Sequence, residues 1–211
     1  HLSLMVTLIN MRHSETMATE KSVLLSPWFG NSLEGKYNSF LAAKCKNRLR
    51  WSNDLKNSVT SPGKTWFTDV HTVYFPMLWE ARHWVGIVIH LCNRLVEILD
   101  PNVDQIEERK ITKLIAPVVE QIPYIIHKWC APLPSQDGGF DAFVWQRHEY
   151  GYKNLRSGDC GPFSIKLMEM HLTGTVGLQD DDQVDRIRQQ YAMDMFQHCI
   201  VPKYANLSNS L

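Results

Sequence analysis

Two β-branched, apolar runs, residues 83–91 and 95–99, are separated only by Cys92, Asn93 and Arg94. Runs of that kind with so short a link predict a β-hairpin. In such a hairpin the start of one strand and the end of its antiparallel partner are neighbours in space. His83 opens the first run and Asp100 closes the second, so the hairpin lets two side chains meet that lie 17 positions apart. This one feature fixes more of the fold than any other stretch of the chain.

The rest arranges itself around it. Residues 2–12 carry Leu4, Leu8 and Met11 at helical spacing. Residues 13–21 are mostly polar and read as a loop. Leu24, Leu25, Trp28 and Phe29 cluster around Pro27, and 37–44 reads as a short helix. Residues 53–64, with Ser, Pro and Gly, read as a second loop. A strand is predicted over 70–75. After Asp100-Pro101-Asn102, residues 103–122 show an amphipathic helical pattern carried by Ile106, Ile111, Leu114, Ile115 and Val118, with Pro117 expected to kink or break it. Residues 124–129 and 140–145 read as short strands, with a turn-rich loop between them. Residues 163–172 and 180–197 read as helices, the second with acidic residues in its first turn, where the helix dipole favours them. The order implies an α+β fold, with helices segregated from a central sheet.

Composition removes several classes of function. The 211 residues suit one domain, expected to act as a monomer. Lys and Arg number 22 against 22 Asp and Glu, which excludes a strongly basic nucleic-acid arm and a disordered acidic chain. Apolar runs such as 85–89 and 115–119 fall far short of the ~18 residues that span a bilayer. The five cysteines are odd in number, irregularly spaced and without a CxxC, which favours a reducing, intracellular setting, nuclear or cytoplasmic. Residues 2–9 are apolar but lack the flanks of a signal peptide. The first residue is His1 rather than Met, from which an N-terminally truncated chain is expected.

Chemistry concentrates in three places. His83 and Asp100 supply an imidazole and a carboxylate that fixes its tautomer, leaving the other ring nitrogen free as a base. Cys160 sits in Ser157-Gly158-Asp159-Cys160-Gly161-Pro162, just ahead of an apolar helix. A cysteine at a helix N-terminus sees the positive end of the dipole, which favours thiolate. Gly158 and Gly161 permit a sharp turn and close approach by a substrate backbone, and the Cys160 N–H is a candidate oxyanion donor. Trp84, next to the base, is the aromatic residue expected to wall the cleft. Each residue alone has a plainer reading: core thiol, packed histidine, turn-opening aspartate. Their three compatible local contexts carry the argument.

Two other patterns were weighed. His90 with Cys92 and His127 with Cys130 together offer four zinc ligands, but the flanks lack knuckle chemistry and His198-Cys199 shows such pairs arising casually. They read as packing, and neither metal nor cofactor is expected in the chemistry. The basic tract Lys44, Lys46, Arg48 and Arg50 reads as a solvated helix end, or more sharply as a docking surface for an acidic protein partner.

The motif set His83-Trp84, Asp100, Asp159-Cys160-Gly161 resembles the ubiquitin-like-protein-specific cysteine proteases, the sentrin/SUMO-protease-like enzymes related to adenovirus protease. The wording 157–162, followed by Lys166-Leu167-Met168-Glu169-Met170-His171, looks most like plant members, many carried by transposable elements. The resemblance is good over about 70–175 and looser elsewhere. It implies a papain-like cysteine protease fold and thiol hydrolysis of a peptide or isopeptide bond after a Gly-Gly end. Carried onto this chain, His83 is the general base, Asp100 its orienter and Cys160 the nucleophile. The family's oxyanion Gln, six positions before the Cys, corresponds to Asn154, which keeps the amide with one methylene less reach. The family's Trp ahead of its first helix has no counterpart in the sequence. The partner implied is a ubiquitin-like modifier or its conjugates, SUMO-like first. Asn154 and the expected missing N-terminal segment would suit a catalytically impaired modifier-binding module of transposon origin instead. An acyl-CoA-dependent acetyltransferase with the same residue order is a third reading, without a phosphate-cradling Gly-rich loop to support it.

Overall fold

In the computed structural model of the chain, residues 1–130, 139–150, 152–153, 155–156, 158–175 and 180–202 are described. The hairpin is its centre. Strand β2 (Thr72–Trp79) pairs antiparallel with β3 (His83–His90), and β3 antiparallel with β4 (Leu95–Leu99). A short β1 (Ser22–Leu24) adds parallel to β2, and β5 (Val144–His148) adds parallel to β4. The sheet is therefore mixed, in the order β1-β2-β3-β4-β5.

Alternation along the strands explains their nearly unbroken apolar character, since both faces are covered. Val73, Phe75, Met77 and Trp79 of β2, Val85, Ile87 and Ile89 of β3, and Val96 and Ile98 of β4 share one core. Helices α3 (Trp28–Ala42), α4 (Asn53–Thr60), α5 (Glu108–Val119) and α6 (Ile122–Trp129) contribute Phe29, Leu33, Leu55, Ile115 and Ile125 to it. Tyr74, Val88 and Leu99 belong to the opposite core. That core is completed by α1 (Leu2–Arg12), α2 (Ser14–Thr19), α7 (Cys160–Thr173) and α8 (Asp181–Met195), through residues such as Ile9, Met17, Phe163, Met168 and Tyr191.

Gly86 sets how closely α7 lies on the sheet. A Cβ there would stand 2.7 Å from Met168 Cγ and 3.3 Å from Leu99 Cβ. The first residue of that helix is Cys160, so this contact also sets the height of the thiol above the sheet.

Several expectations need correction. Residues 124–129 are not a strand: they lie in α6, whose buried Ile122, Ile125 and Ile126 follow helical spacing and whose Pro123 is tolerated in the first turn. Their β-branched and aromatic content favours a strand locally, and packing of the helical face overrides it. The expected loops at 13–21 and 53–64 contain α2 and α4. In α4 the Ser52 hydroxyl caps Leu55 N–H at 3.2 Å, and only Leu55 and Val59 are buried, which leaves the segment looking polar. The helix expected at 37–44 starts earlier, at Trp28. The single helix expected over 103–122 is a 3₁₀ turn (Val103–Gln105) followed by α5, and Pro117 sits inside α5 two residues before its end. Gln121 closes that end, its side-chain N–H donating to the carbonyls of Pro117 and Leu33, both at 2.7 Å. The last strand lies at 144–148 rather than 140–145.

Candidate active site

His83 is the first residue of β3 and is 3% exposed. It pairs across the ladder with Trp79, and the link between them holds Glu80 and Ala81 in left-handed backbone (φ 49° and 55°). Asp100 follows the last residue of β4 and is 1% exposed. The hairpin brings the two together: His83 Nε2 and Asp100 Oδ1 are 2.7 Å apart. The same oxygen accepts the Asn102 N–H at 2.8 Å. With Nε2 engaged, Nδ1 is the nitrogen left for chemistry, and the imidazole interacts with the Cys160 sulfur.

Cys160 is half-buried at the N-terminus of α7. As a thiol it donates to the Arg82 carbonyl at 3.8 Å. Burial opposes charge on the sulfur. His83 and the backbone N–H groups of Trp84 and Gly161 outweigh it and hold Cys160 below the ordinary thiol range. Burial likewise opposes charge on His83, but Asp100 and Cys160 push it up to about 9. Asp100 is itself lowered: His83, the Asn102 N–H and Arg147 overcome its burial. The shifts of Cys160 and His83 both run in the direction that favours a thiolate–imidazolium pair.

Arg147 was not singled out from the sequence. It lies on β5 opposite Ile98, and its side chain is only 8% exposed. Its Nε and Nη2 donate to Asp100 Oδ2 at 3.0 and 2.6 Å. Nη2 also donates to the Val103 carbonyl (2.9 Å) and Nη1 to that of Ile106 (3.2 Å). The carboxylate thus has one oxygen for His83 and the other for a guanidinium fork. Asp159, the residue before the thiol, is buried and neutralised by Arg188 Nη1 at 2.6 Å and Arg156 Nε at 2.8 Å.

Cys160 stands between two depressions. One, of about 220 Å³, is lined by His83, Arg82, Gln105, Leu155, Arg156 and Gly158. The other, about 430 Å³, is more apolar and includes Leu2, Met5, Trp84, Gly161, Pro162 and Met195. Gly158 is left-handed at φ 87°, where a side chain would be strained. A Cβ on Gly161 would meet Leu2 Cδ2 at 3.4 Å and Trp84 Cδ1 at 3.5 Å. Trp84, Gly158 and Gly161 are therefore all at the thiol, whereas Asn154 lies outside the described residues. Among the described residues, His90, Cys92, His127 and Cys130 do not converge as one ligand group.

The fold matches solved structures at low identity. The C-terminal Ulp1 protease domain in complex with Smt3, the yeast ortholog of SUMO, aligns with a TM-score of 0.60 at 12% identity, over 92% of this chain and 73% of that one. The SUMO protease Ulp1 with its catalytic cysteine oxidised to a sulfonic acid gives 0.61 at 11%, over 92% and 74%. The Chlamydia abortus effector protein ChlaDUB gives 0.52 at 12%, over 94% and 91%. None of the curated proteins matches the chain in sequence. The family model described as the Ulp1 protease family, C-terminal catalytic domain, matches residues 1–203. A thiol, an imidazole and a carboxylate gathered on this fold agree with that match, and the chain belongs to the Ulp1 protease family, cysteine peptidases that act on ubiquitin-like proteins.

Proposed function

We propose that this chain hydrolyses peptide or isopeptide bonds after the C-terminal Gly-Gly of a ubiquitin-like modifier, SUMO-like first. The observation that carries the reading is the 2.7 Å His83–Asp100 bond beside a thiol held below its ordinary range. Cys160 thiolate attacks the carbonyl carbon and a C–S bond forms. The imidazolium of His83 gives its proton to the leaving amine as the C–N bond breaks. His83 then takes a proton from water, whose oxygen attacks the thioester and displaces the thiolate. Asp100 orients the imidazole, and the N–H of Cys160 is one oxyanion donor, with Asn154 the other.

The reading for a Gly-Gly end draws support from the walls beside the proposed nucleophile. Leu2 and Trp84 flank Gly161 there, and a Cβ on Gly161 would meet them at 3.4 and 3.5 Å. A substrate segment without side chains fits such a site best. The Smt3 complex of Ulp1 supports the choice of a SUMO-like modifier as partner. The chain acts as a single catalytic unit in a reducing compartment, nuclear or cytoplasmic; none of its described helices is long and apolar enough to cross a membrane.

A panel of modifier–Gly-Gly vinyl probes tests this on wild type, Cys160→Ala and His83→Ala. A covalent adduct with one modifier, absent in Cys160→Ala and slowed in His83→Ala, is expected. Non-covalent binding without any adduct would replace the protease by a binding module.

A further inference from the structure

Toward the other end of β3 from His83, opposite Val88 and about 16 Å along the strand at ~3.3 Å per residue, a buried carboxylate collects three imidazoles. Glu97 of β4 is 8% exposed. Its Oε2 lies 2.9 Å from both His90 Nε2 of β3 and His171 Nε2 of α7. Its Oε1 lies 3.1 Å from His148 Nε2 of β5 and accepts from Gln146 Nε2 at 2.6 Å. Every salt bridge found for Glu97 among the described residues is to a histidine. With neutral imidazoles the site holds an uncompensated negative charge in a partly dehydrated place, which is costly.

We propose that His90, Glu97 and His171 bind one divalent transition metal of the zinc class. Their three ligand atoms lie within 4.8 Å of one another and come from three different elements. Two imidazole nitrogens and one carboxylate oxygen form a borderline donor set that suits zinc, with a fourth position open to water. The outer contacts are those a metal site needs. His171 Nδ1 is 2.9 Å from the Tyr74 hydroxyl, which fixes the ring and leaves Nε2 to point inward. Gln146 and His148 hold the carboxylate oxygen that the metal does not use. The side chains of His90 and His171 are 24% and 29% exposed, which provides an entry path. Bound metal would tie the last turn of α7 to β3 and β4. His171 lies about 16 Å along that helix from Cys160 at ~1.5 Å per residue, so the site is separate from the proposed nucleophile.

The test uses the whole chain with Cys160→Ala, which removes the competing thiol–imidazole pair at the catalytic centre. Zinc chloride is titrated by calorimetry and melting is followed with and without it. Cobalt(II) absorption and zinc X-ray absorption read the ligands. One equivalent is expected, with a raised Tm, two imidazoles and oxygen around the metal, and no sulfur-to-cobalt charge-transfer band. His90→Gln and His171→Gln should each weaken binding by roughly 10-fold or more and cancel the Tm rise. Absence of binding at tens of micromolar zinc, affinity unchanged by either substitution, or sulfur in the ligand shell overturns the proposal. If a variant fails to fold by circular dichroism, the ligand shell of the unsubstituted cluster decides alone.

Discussion

Arg147 grips the one oxygen of Asp100 that His83 does not use, through two nitrogens at 3.0 and 2.6 Å. Arg147→Ala leaves a buried carboxylate without its guanidinium partner and is expected to destabilise the chain by about 3–5 kcal/mol. Its effect on turnover passes through His83. Losing the cation beside Asp100 makes the imidazolium easier to keep, so the alkaline limb of the pH–rate profile moves up while the rate falls. Arg147→Lys retains charge without the fork and should move the limb less while still lowering the rate. A lesion that merely loosens β5 lowers the rate and leaves the limb in place.

Alkylation of Cys160 by iodoacetamide reports the thiolate directly. With the sulfur held below its ordinary range and His83 raised to about 9, the thiolate forms at lower pH than an ordinary thiol. Alkylation is expected to set in at correspondingly lower pH. Proteolysis needs the imidazolium as well, so it rises as Cys160 ionises and falls as His83 loses its proton near pH 9. In His83→Ala the alkylation curve moves toward an ordinary thiol. An unmoved curve would show that the helix N-terminus alone activates the sulfur.

Gly86→Ala drives a methyl group into Met168 Cγ, 2.7 Å away. Overpacking of this kind costs about 1–3 kcal/mol. Since α7 also carries Cys160, labelling by the modifier probe should slow in step with the loss of stability. The second substitution Met168→Ala should return part of both losses. Denaturant unfolding and labelling rates on the four members of this cycle measure the coupling.

Glu169 ties the N-terminal helices to α7. It is 4% exposed, 3.0 Å from Arg12, 2.7 Å from His13 and 2.8 Å from Lys166. Burial works against its charge, but Lys166, His13 and Arg12 overcome it and bring it down to about 2. A depressed carboxylate contributes stability that is fully present above its unfolded value of about 4.5 and is lost as pH falls toward 2. The shift corresponds to about 3 kcal/mol at ~1.4 kcal/mol per unit. Glu169→Gln should remove that amount at pH 7 and flatten the acid limb of the stability curve. An acid limb as steep as that of wild type would place the pH sensitivity elsewhere.

The hairpin and its two end residues were legible because alternation, a short link and a fixed register leave few alternatives. Cys160 was legible because turn residues followed by an apolar run mark a helix start. Arg147 was not: the last strand was read four residues too early, which put 147 outside it, and an arginine on a short strand reads as surface. The cluster around Glu97 was invisible for another reason. His90 was paired in sequence with Cys92, whereas its partners come from β4, β5 and α7, and only tertiary packing assembles them. Helices α2 and α4 were missed because one or two buried residues suffice to anchor a short helix, too few for a periodic pattern.

The order of the site along the chain bears on synthesis. His83 and Asp100 belong to one hairpin, a local contact, although Arg147, which holds the other oxygen of Asp100, is made 47 positions later. Cys160 comes 60 positions after Asp100, and its helix has no place to settle until Gly86 and its neighbours present a finished sheet. A ribosome-bound chain therefore carries His83 and Asp100 before it carries the thiol proposed to act with them. On the proposed mechanism, the chain is competent for cleavage only once α7 has docked and set Cys160 beside His83.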